Sequence, residues 1–301
     1  MLIWSLCRNF ELYSSQRIRE AAVERGHEPV EIDTGRLSAL TVDSRPALLL
    51  DGKAVEPPPA AVYRSGYTRL AFGWDLSLWR QFEALGVVTL NTTAAVLRCS
   101  DKFYTLQLLA AAGLPVVDAA LVREPTELEA AAAAVGGCPL VLKWSRGTRG
   151  VGTALVESAA ALVSQWQLSA ALEQTAHLER FHPEAAGRDR RAFVIGGRLV
   201  ACYERRAAAG EFRSNVHRGG DAVAHRPSPA ETELAEAAAR VLGLEVAGVD
   251  LLPTADGPRV LEVNSVPGLR YVETVTGVDV AGALIEHLER LCANKRQSTR
   301  K

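Results

Sequence analysis

Asp250 ends one apolar run, Val246 to Asp250, and Glu262-Val263-Asn264 ends a second, Arg259 to Asn264. The segment between them is Thr254-Ala255-Asp256-Gly257-Pro258, and Pro267-Gly268 follows. Within the second run Val260, Glu262 and Asn264 alternate with Leu261 and Val263. Alternation of this kind, bounded by Asp-Gly and Pro-Gly, predicts a hairpin of strands. Glu262 and Asn264 then share a face, with Asp250 on the neighbouring strand. Two carboxylates and an amide oxygen are hard ligands. They suit Mg²⁺, which completes its shell with water and phosphate oxygens. The same residues would also serve as acids on a half-exposed hairpin facing water.

Lys143-Trp-Ser-Arg-Gly147-Thr148-Arg149-Gly150-Val-Gly152 lies between two predicted strands. Glycines let backbone amides approach phosphate oxygens closely. Thr148 can add a hydroxyl and Lys143 a point charge. A plain tight turn would read the same way. The segment is not a Walker loop, because no Gly-Lys-Ser/Thr closes it. Lys102 opens a helix after Asp101, where its charge opposes the helix dipole. It therefore has another use or is freely solvated. Asp189-Arg190-Arg191 and Arg213-Ser214-Asn215 add polar groups, and arginine forks suit phosphate or carboxylate. Solvated charged loops remain the alternative.

The elements that must position these groups fall in three stretches. First come strands at 2–7, 29–32, 47–50, 61–63 and 87–90, with helices at 14–26 and 74–85. Strands alternating with helices indicate a parallel, Rossmann-like sheet. No Gly-x-Gly-x-x-Gly follows the first strand, so a nucleotide site must lie elsewhere. The middle stretch predicts a helix over 101–112, strands at 116–122, 140–144, 151–156 and 175–179, an Ala-rich helix to Val135 and a helix over 159–168. The third predicts a hairpin of 191–195 with 199–203 about Gly196-Gly197. A helix over 231–242, the metal hairpin, a helix over 280–291 and a disordered basic tail follow.

Composition sets the class. The chain has 301 residues, 48% hydrophobic and 23% charged, enough for two or three domains with a substantial core. Net charge is -1, which gives no reason to expect nucleic acid or an anionic membrane. Cys7, Cys99, Cys138, Cys202 and Cys292 are scattered, odd in number and without Cys-x-x-Cys, as in a reducing compartment and unlike a zinc site. The N-terminus lacks a basic n-region and an apolar h-region, and no run is long enough to span a bilayer, so the expected location is cytoplasmic.

Together these pieces resemble the ATP-grasp ligases, and within them the RimK type, the L-glutamate ligases of a small-subunit ribosomal protein. Leu12-Tyr13-Ser14, Arg80-Gln81-Phe82-Glu83, Glu204-Arg205-Arg206, Phe212-Arg213-Ser214-Asn215, His217-Arg218-Gly219-Gly220 and Thr276-Gly277-Val278-Asp279 carry the likeness, which covers nearly the whole chain. The resemblance implies an α/β (α+β) ATP-grasp fold. It has a Rossmann-like domain over 1–92, a central lid over 93–179 and a C-terminal domain over 180–292, ahead of the tail at 293–301. It implies ATP with Mg²⁺ or Mn²⁺, two ions, held by Asp250, Glu262 and Asn264. Nucleotide contacts would come from Lys102, Lys143, Gly147, Thr148, Gly150, Asp189, Arg213, Ser214 and Asn215, with Arg180 and Phe181 beside the adenine. Arg180 stands where relatives commonly have Glu.

The expected reaction adds L-glutamate to the C-terminal carboxylate of a peptide or protein through an acyl-phosphate. Arg213, with Arg191 second, would face the acyl-phosphate and the oxyanion. Arg205, Arg206, Arg213, His217 and Arg218 would form an exposed basic rim for substrate carboxylates. A homo-oligomer is expected, with no membrane or nucleic-acid partner. The same chemistry on a small metabolite, a cofactor tail or an amino-group carrier protein stays open, as does an ATP-binding regulatory module without turnover.

Overall fold

The computed structural model describes residues 1–64, 69–145, 151–208, 210–214 and 219–298, with only the backbone of 69–72. Leu2–Cys7 is buried along nearly its whole length, as a central parallel strand must be. It pairs with Glu28–Asp33 on one side and Ala60–Tyr63 on the other, and Val88–Thr89 completes a parallel sheet of four. The helices Tyr13–Glu24 and Arg69–Ala84 make the crossovers. This is the Rossmann-like arrangement the alternation predicts. The run at 47–50 belongs elsewhere. It lies in Arg45–Leu50, which turns back through Asp43 and Ser44, both at positive φ, to pair antiparallel with Leu37–Val42.

A second sheet is antiparallel throughout, in the order Thr153–Val156, Leu140–Trp144, Ala176–Arg180, Ala119–Leu121. Leu140, Leu142, Ala176 and Leu178 alternate onto one face, under the helices Leu128–Ala134 and Ala159–Ala171. The strand predicted from 116 pairs there only over Ala119–Leu121. Val116 instead bridges Val260 of the last sheet, where Pro115 O accepts from Val260 N at 2.9 Å.

The last sheet has five antiparallel strands. Their order is Asp221–Ala224, Arg198–Arg206, Arg188–Ile195, Val246–Thr254, Gly257–Asn264. Ala192, Val194, Cys202, Ala247, Val249 and Val263 face one side, against the helix Pro229–Leu242. That helix starts on a Ser228–Glu231 capping box and stops at Gly243 in the left-handed region. The helices Thr93–Arg98 and Lys102–Ala111, expected at the head of the central lid, join this same core through Ala95 and Leu109.

The opposite face is apolar at one end. There Phe193, Ile195, Ala201, Tyr203 and Val246 share a core with Ile3, Ile18 and Ala22 of the first stretch and with Leu284, Ile285 and Leu288. Residues 293–298, expected as a disordered tail, are helical. They extend Val280–Ser298, where Lys295 Nζ donates to Gly86 O at 2.5 Å. A basic last turn suits the negative end of a helix dipole. Among the described residues no helix is long and apolar enough to cross a membrane.

Leu284 is 1% exposed at the centre of the shared core. Leu284→Ala should lower the unfolding free energy by about 2–5 kcal/mol in urea titrations. The first parallel sheet and the five-stranded sheet should lose protection together.

Candidate active site

The five-stranded sheet changes character along the face that carries the shared core. Phe193 pairs with Gly248, and two residues on Arg191 pairs with Asp250. Asp250 pairs in turn with Glu262, and Gly248 with Asn264. One pleated face thus runs from apolar Phe193 into a charged row of Arg191, Asp250 and Glu262. The predicted hairpin is present and Glu262 and Asn264 share its face, but Val260, expected beside them, is buried on the other side with Leu251 and Val263. A bulge between Asp250 and Leu251 shifts the register, so that Leu251 faces Val260. Gly248 must be glycine, since a Cβ there would lie 2.7 Å from Pro267 Cβ. Pro267, in the exit loop of the second strand, therefore sits directly on the Asp250 strand.

Asp250 is 2% exposed and held by two arginines. Arg191 Nε donates to Oδ1 at 2.5 Å and Arg191 Nη2 to Oδ2 at 2.6 Å. Arg205 Nη2 donates to Oδ2 at 2.7 Å. Arg205 also forks onto Asp189 at 2.5 and 2.6 Å, and Ser214 Oγ donates to Asp189 Oδ2. Burial pushes the Asp250 carboxyl up, but the charges of Arg191 and Arg205 outweigh it and hold the group below the usual range. Three N–H donors fill both lone pairs of Oδ2 and one of Oδ1. One lone pair of Oδ1 is left for a further ligand.

Glu262 is half-buried, and its Oε1 lies 3.6 Å from Lys102 Nζ. Lys102 N donates to Ser145 O at 2.9 Å, at the mouth of the glycine-bearing loop. The helix that presents Lys102 is capped by Asp101, which accepts from Tyr104 N at 3.1 Å. Asn264 Nδ2 is buried with no hydrogen-bond partner among the described residues. An orphaned amide donor beside two carboxylates fits a site that receives an oxygen-rich group. Among the described residues no three His, Cys, Asp or Glu side chains converge on one point. The donor set that could hold Mg²⁺ is therefore Asp250 Oδ1, Glu262 and the Asn264 amide oxygen. So few protein ligands leave positions for water and phosphate oxygens.

Lys143 lies on the face of the central sheet opposite Leu140, Leu142 and their covering helices. Its Nζ is 2.5 Å from Glu179 Oε2, and His177 Nε2 is 2.9 Å from Glu179 Oε1. His177 pairs with Lys143 in register, and the Phe103 ring lies 5.6 Å from its own. Burial raises the Glu179 carboxyl, but Lys143 and His177 bring it down to about 2. The carboxylate therefore accepts from both, and His177 Nε2 carries the hydrogen.

The remaining predicted residues divide. Arg213 is forked by Glu211 at 2.9 and 2.8 Å, and its Nη1 donates to Thr153 O at 3.2 Å on the central sheet. Arg180 is half exposed. It reaches Asp118 at 3.4 Å and lies over Gly136, and Asp118 is also 3.6 Å from Arg259 of the Gly257–Asn264 strand. Phe181 is half-buried. Gly147, Thr148, Gly150 and Asn215 lie outside the described residues, as do His217 and Arg218 of the basic rim. Arg205 does not belong to that rim. It is 7% exposed, because strand alternation turns it inward with Tyr203 while Glu204 and Arg206 pair with each other at 2.8 Å. Glu179, His177 and the inward role of Arg205 were not read from the sequence. Alternation at Ala176-His177-Leu178-Glu179 was the available signal, since it opposes the polar pair to the apolar one.

Comparison with known proteins settles the family. The RimK-like ATP-grasp domain matches residues 99–288, and the RimK PreATP-grasp domain matches 1–96. The chain belongs to the RimK family of ATP-grasp ligases. A probable alpha-L-glutamate ligase of Pseudomonas fluorescens (strain SBW25) is 42% identical over 96% of each chain. One from Hahella chejuensis is 41% identical over 100% of this chain and 98% of its own. Among solved structures, a RimK domain ATP-grasp protein from Sphaerobacter thermophilus superposes with TM-score 0.73 at 25% identity, over 95% of this chain and 99% of that one. The ATP-grasp ligase PsnB, complexed with a minimal precursor, Mg and ADP, gives 0.73 at 23% over 96% and 98%. The RimK chain described here is thus an enzyme of the ATP-grasp ligase class, and the reading as a module without turnover falls away.

Glu179 is 2% exposed and depressed to about 2, so its pairing with Lys143 and His177 stabilises the fold fully above the ordinary carboxylate value. That contribution should be lost as pH falls from about 4.5 toward about 2. Glu179→Gln strands a buried lysine and should cost about 3–5 kcal/mol near neutral pH. The gap between variant and parent in urea unfolding should narrow steadily as the titrations move down to about pH 3.

Proposed function

We propose that this ligase joins the amino group of L-glutamate to the C-terminal carboxylate of a peptide or protein, converting ATP to ADP and phosphate. The observation that carries this reading is the Asp250–Glu262–Asn264 face, tied through Lys102 and Ser145 to the glycine-bearing loop. Full-length relatives named probable alpha-L-glutamate ligase support glutamate as the amine. Fold neighbours complexed with precursor peptides support a peptide acceptor.

The acceptor carboxylate attacks the terminal phosphoryl group of ATP. The bond to ADP breaks and an acyl-phosphate forms. The glutamate amine then attacks the acyl carbon, phosphate leaves, and the amine gives up a proton. Each species is anionic, so stabilisation falls to fixed positive charge. Mg²⁺, held by Asp250, Glu262 and Asn264, would supply Lewis-acid neutralisation of the phosphate oxygens. Lys102 and Lys143 bring charge to the phosphates from two different elements. Arg213 is assigned to the acyl-phosphate and the oxyanion. Arg191 is the second candidate, because its Nε and Nη2 hold Asp250 while its Nη1 makes no bond to a described residue. Asp189, with Ser214 and Arg205, would contact the nucleotide. Arg206 lies on the other face of its strand from Arg205, paired with Glu204, and is not placed beside the Asp250 face.

Glu262→Gln should fold normally and lose ADP release by at least about a hundredfold, at about 1.4 kcal/mol of barrier per tenfold. Near-normal turnover with Mg²⁺ would remove Glu262 from the metal. Mass spectrometry with ATP, Mg²⁺ and labelled glutamate tests the acceptor. A peptide with a free C-terminus should gain a glutamyl residue, and its C-terminally amidated form should not. Label entering the amidated peptide, or entering only small metabolites, would reject the acceptor.

A further inference from the structure

Asn91 lies between the parallel sheet and the helix Thr93–Arg98, and it is 2% exposed. Its side-chain amide is fully used. Nδ2 donates to Val246 O at 2.8 Å and to Ser265 O at 2.7 Å. Oδ1 accepts from Glu245 N at 2.9 Å and Val246 N at 3.0 Å. Val246 begins the strand that carries Asp250, and Ser265 follows Asn264. Asn91 therefore adds one further rung at the open end of the hairpin, beyond the last backbone pair, Gly248 with Asn264.

The position matters because of the bulge. From the turn at residues 255–256 the ladder runs in register as far as Leu251 with Val260, then slips by one residue. The tight turn therefore does not by itself set the pairing of Asp250 with Glu262. A slip of one residue sends every side chain to the opposite face. The register on the far side of the bulge must be held from the open end. Two further residues of the first stretch grip the exit loop there: Arg64 Nη1 donates to Pro267 O at 3.0 Å, and Ser14 Oγ accepts from Leu269 N at 3.0 Å.

We infer that Asn91 is a positioning residue for the metal face. It pins the register that brings Glu262 and Asn264 beside Asp250, so that the N-terminal sheet sets the affinity of the site for a divalent cation. The inference rests on the reading that these three residues hold the cation.

The test uses the full chain and Mn²⁺ titrated in the presence of ADP, with free Mn²⁺ read by electron paramagnetic resonance. Asn91→Ala, and Asn91→Asp, which keeps an acceptor but loses the donor, should each weaken Mn²⁺ binding by about tenfold or more. That is the range found when partners of metal ligands are removed. Leu162→Ala lies in the core of the central sheet, which contains none of the residues around Asn91, Val246 or Ser265, and serves as the control. It should lower the melting temperature without moving the Mn²⁺ affinity. Asn91 variants that melt earlier yet bind Mn²⁺ like the parent would overturn the inference. Should neither variant fold, the unaltered protein answers by reciprocity. Mn²⁺ with ADP must then slow exchange of the Glu245 and Val246 amides, and unchanged exchange overturns the inference equally. Glu262→Gln separates the two levels. If it too binds Mn²⁺ normally, the metal reading itself fails. If it alone loses the ion, only the role of Asn91 fails.

Discussion

An ionised carboxylate that is almost wholly removed from water must be met by positive charge, or it will take up a proton instead. Asp250 is in that position, and the arrangement around it follows. Arg191 reaches it from the adjacent strand in register, and Arg205 from one strand further. Arg205 carries a second carboxylate, Asp189, which in turn receives Ser214 from the loop after the hairpin. The result is an alternating row of charges across the sheet. Removing any one member leaves its neighbour unmatched. The two arginines also leave the carboxylate a single lone pair, so Asp250 can offer a cation one oxygen in one direction.

The same sheet face is both core and site. Phe193 and Tyr203 pack against Ile18 and Leu284, while Arg191, on the same strand and pointing the same way, meets Asp250. The charged row therefore begins where close packing ends, and its side chains inherit the fixed positions of the core. Lys143 and Lys102 are held differently. Each comes from its own element and each is matched by a glutamate, at 2.5 and 3.6 Å. A lysine paired in this way can approach phosphates without leaving an unmatched cation buried.

Much of this was legible because short-range patterns specify it. The alternation through Glu262 and Asn264 fixes their shared face, and the Asp256-Gly257 turn predicts the hairpin that brings the Asp250 strand alongside. Asp101 marks the start of the Lys102 helix. What was not legible depends on partners far away in sequence. Arg205 looks like one of several arginines in a basic stretch, and only the Asp189 and Asp250 strands beside it reveal a buried fork. Glu179 gave no motif, since its meaning lies in Lys143 on another strand. The last helix outruns its apolar pattern because Lys295 finds Gly86 O, and local periodicity carries no trace of that bond. The bulge after Asp250 was equally hidden, as the residues around it alternate regularly.

The shared core joins the helix Tyr13–Glu24 to the helix Val280–Ser298. Consider what this means while the chain is being made. Ile18, Ala21 and Ala22 emerge with the first parallel sheet, but Leu284, Ile285 and Leu288, which cover them, emerge roughly 250 residues later. At about 5–20 residues per second that is a delay on the order of tens of seconds. Throughout it the nascent N-terminal sheet carries a bare apolar flank at the mouth of the ribosome. Vectorial folding cannot close this protein domain by domain. Its first sheet is covered only by a helix translated long after it, so Ile18, Ala21 and Ala22 stand bare until Leu284, Ile285 and Leu288 arrive.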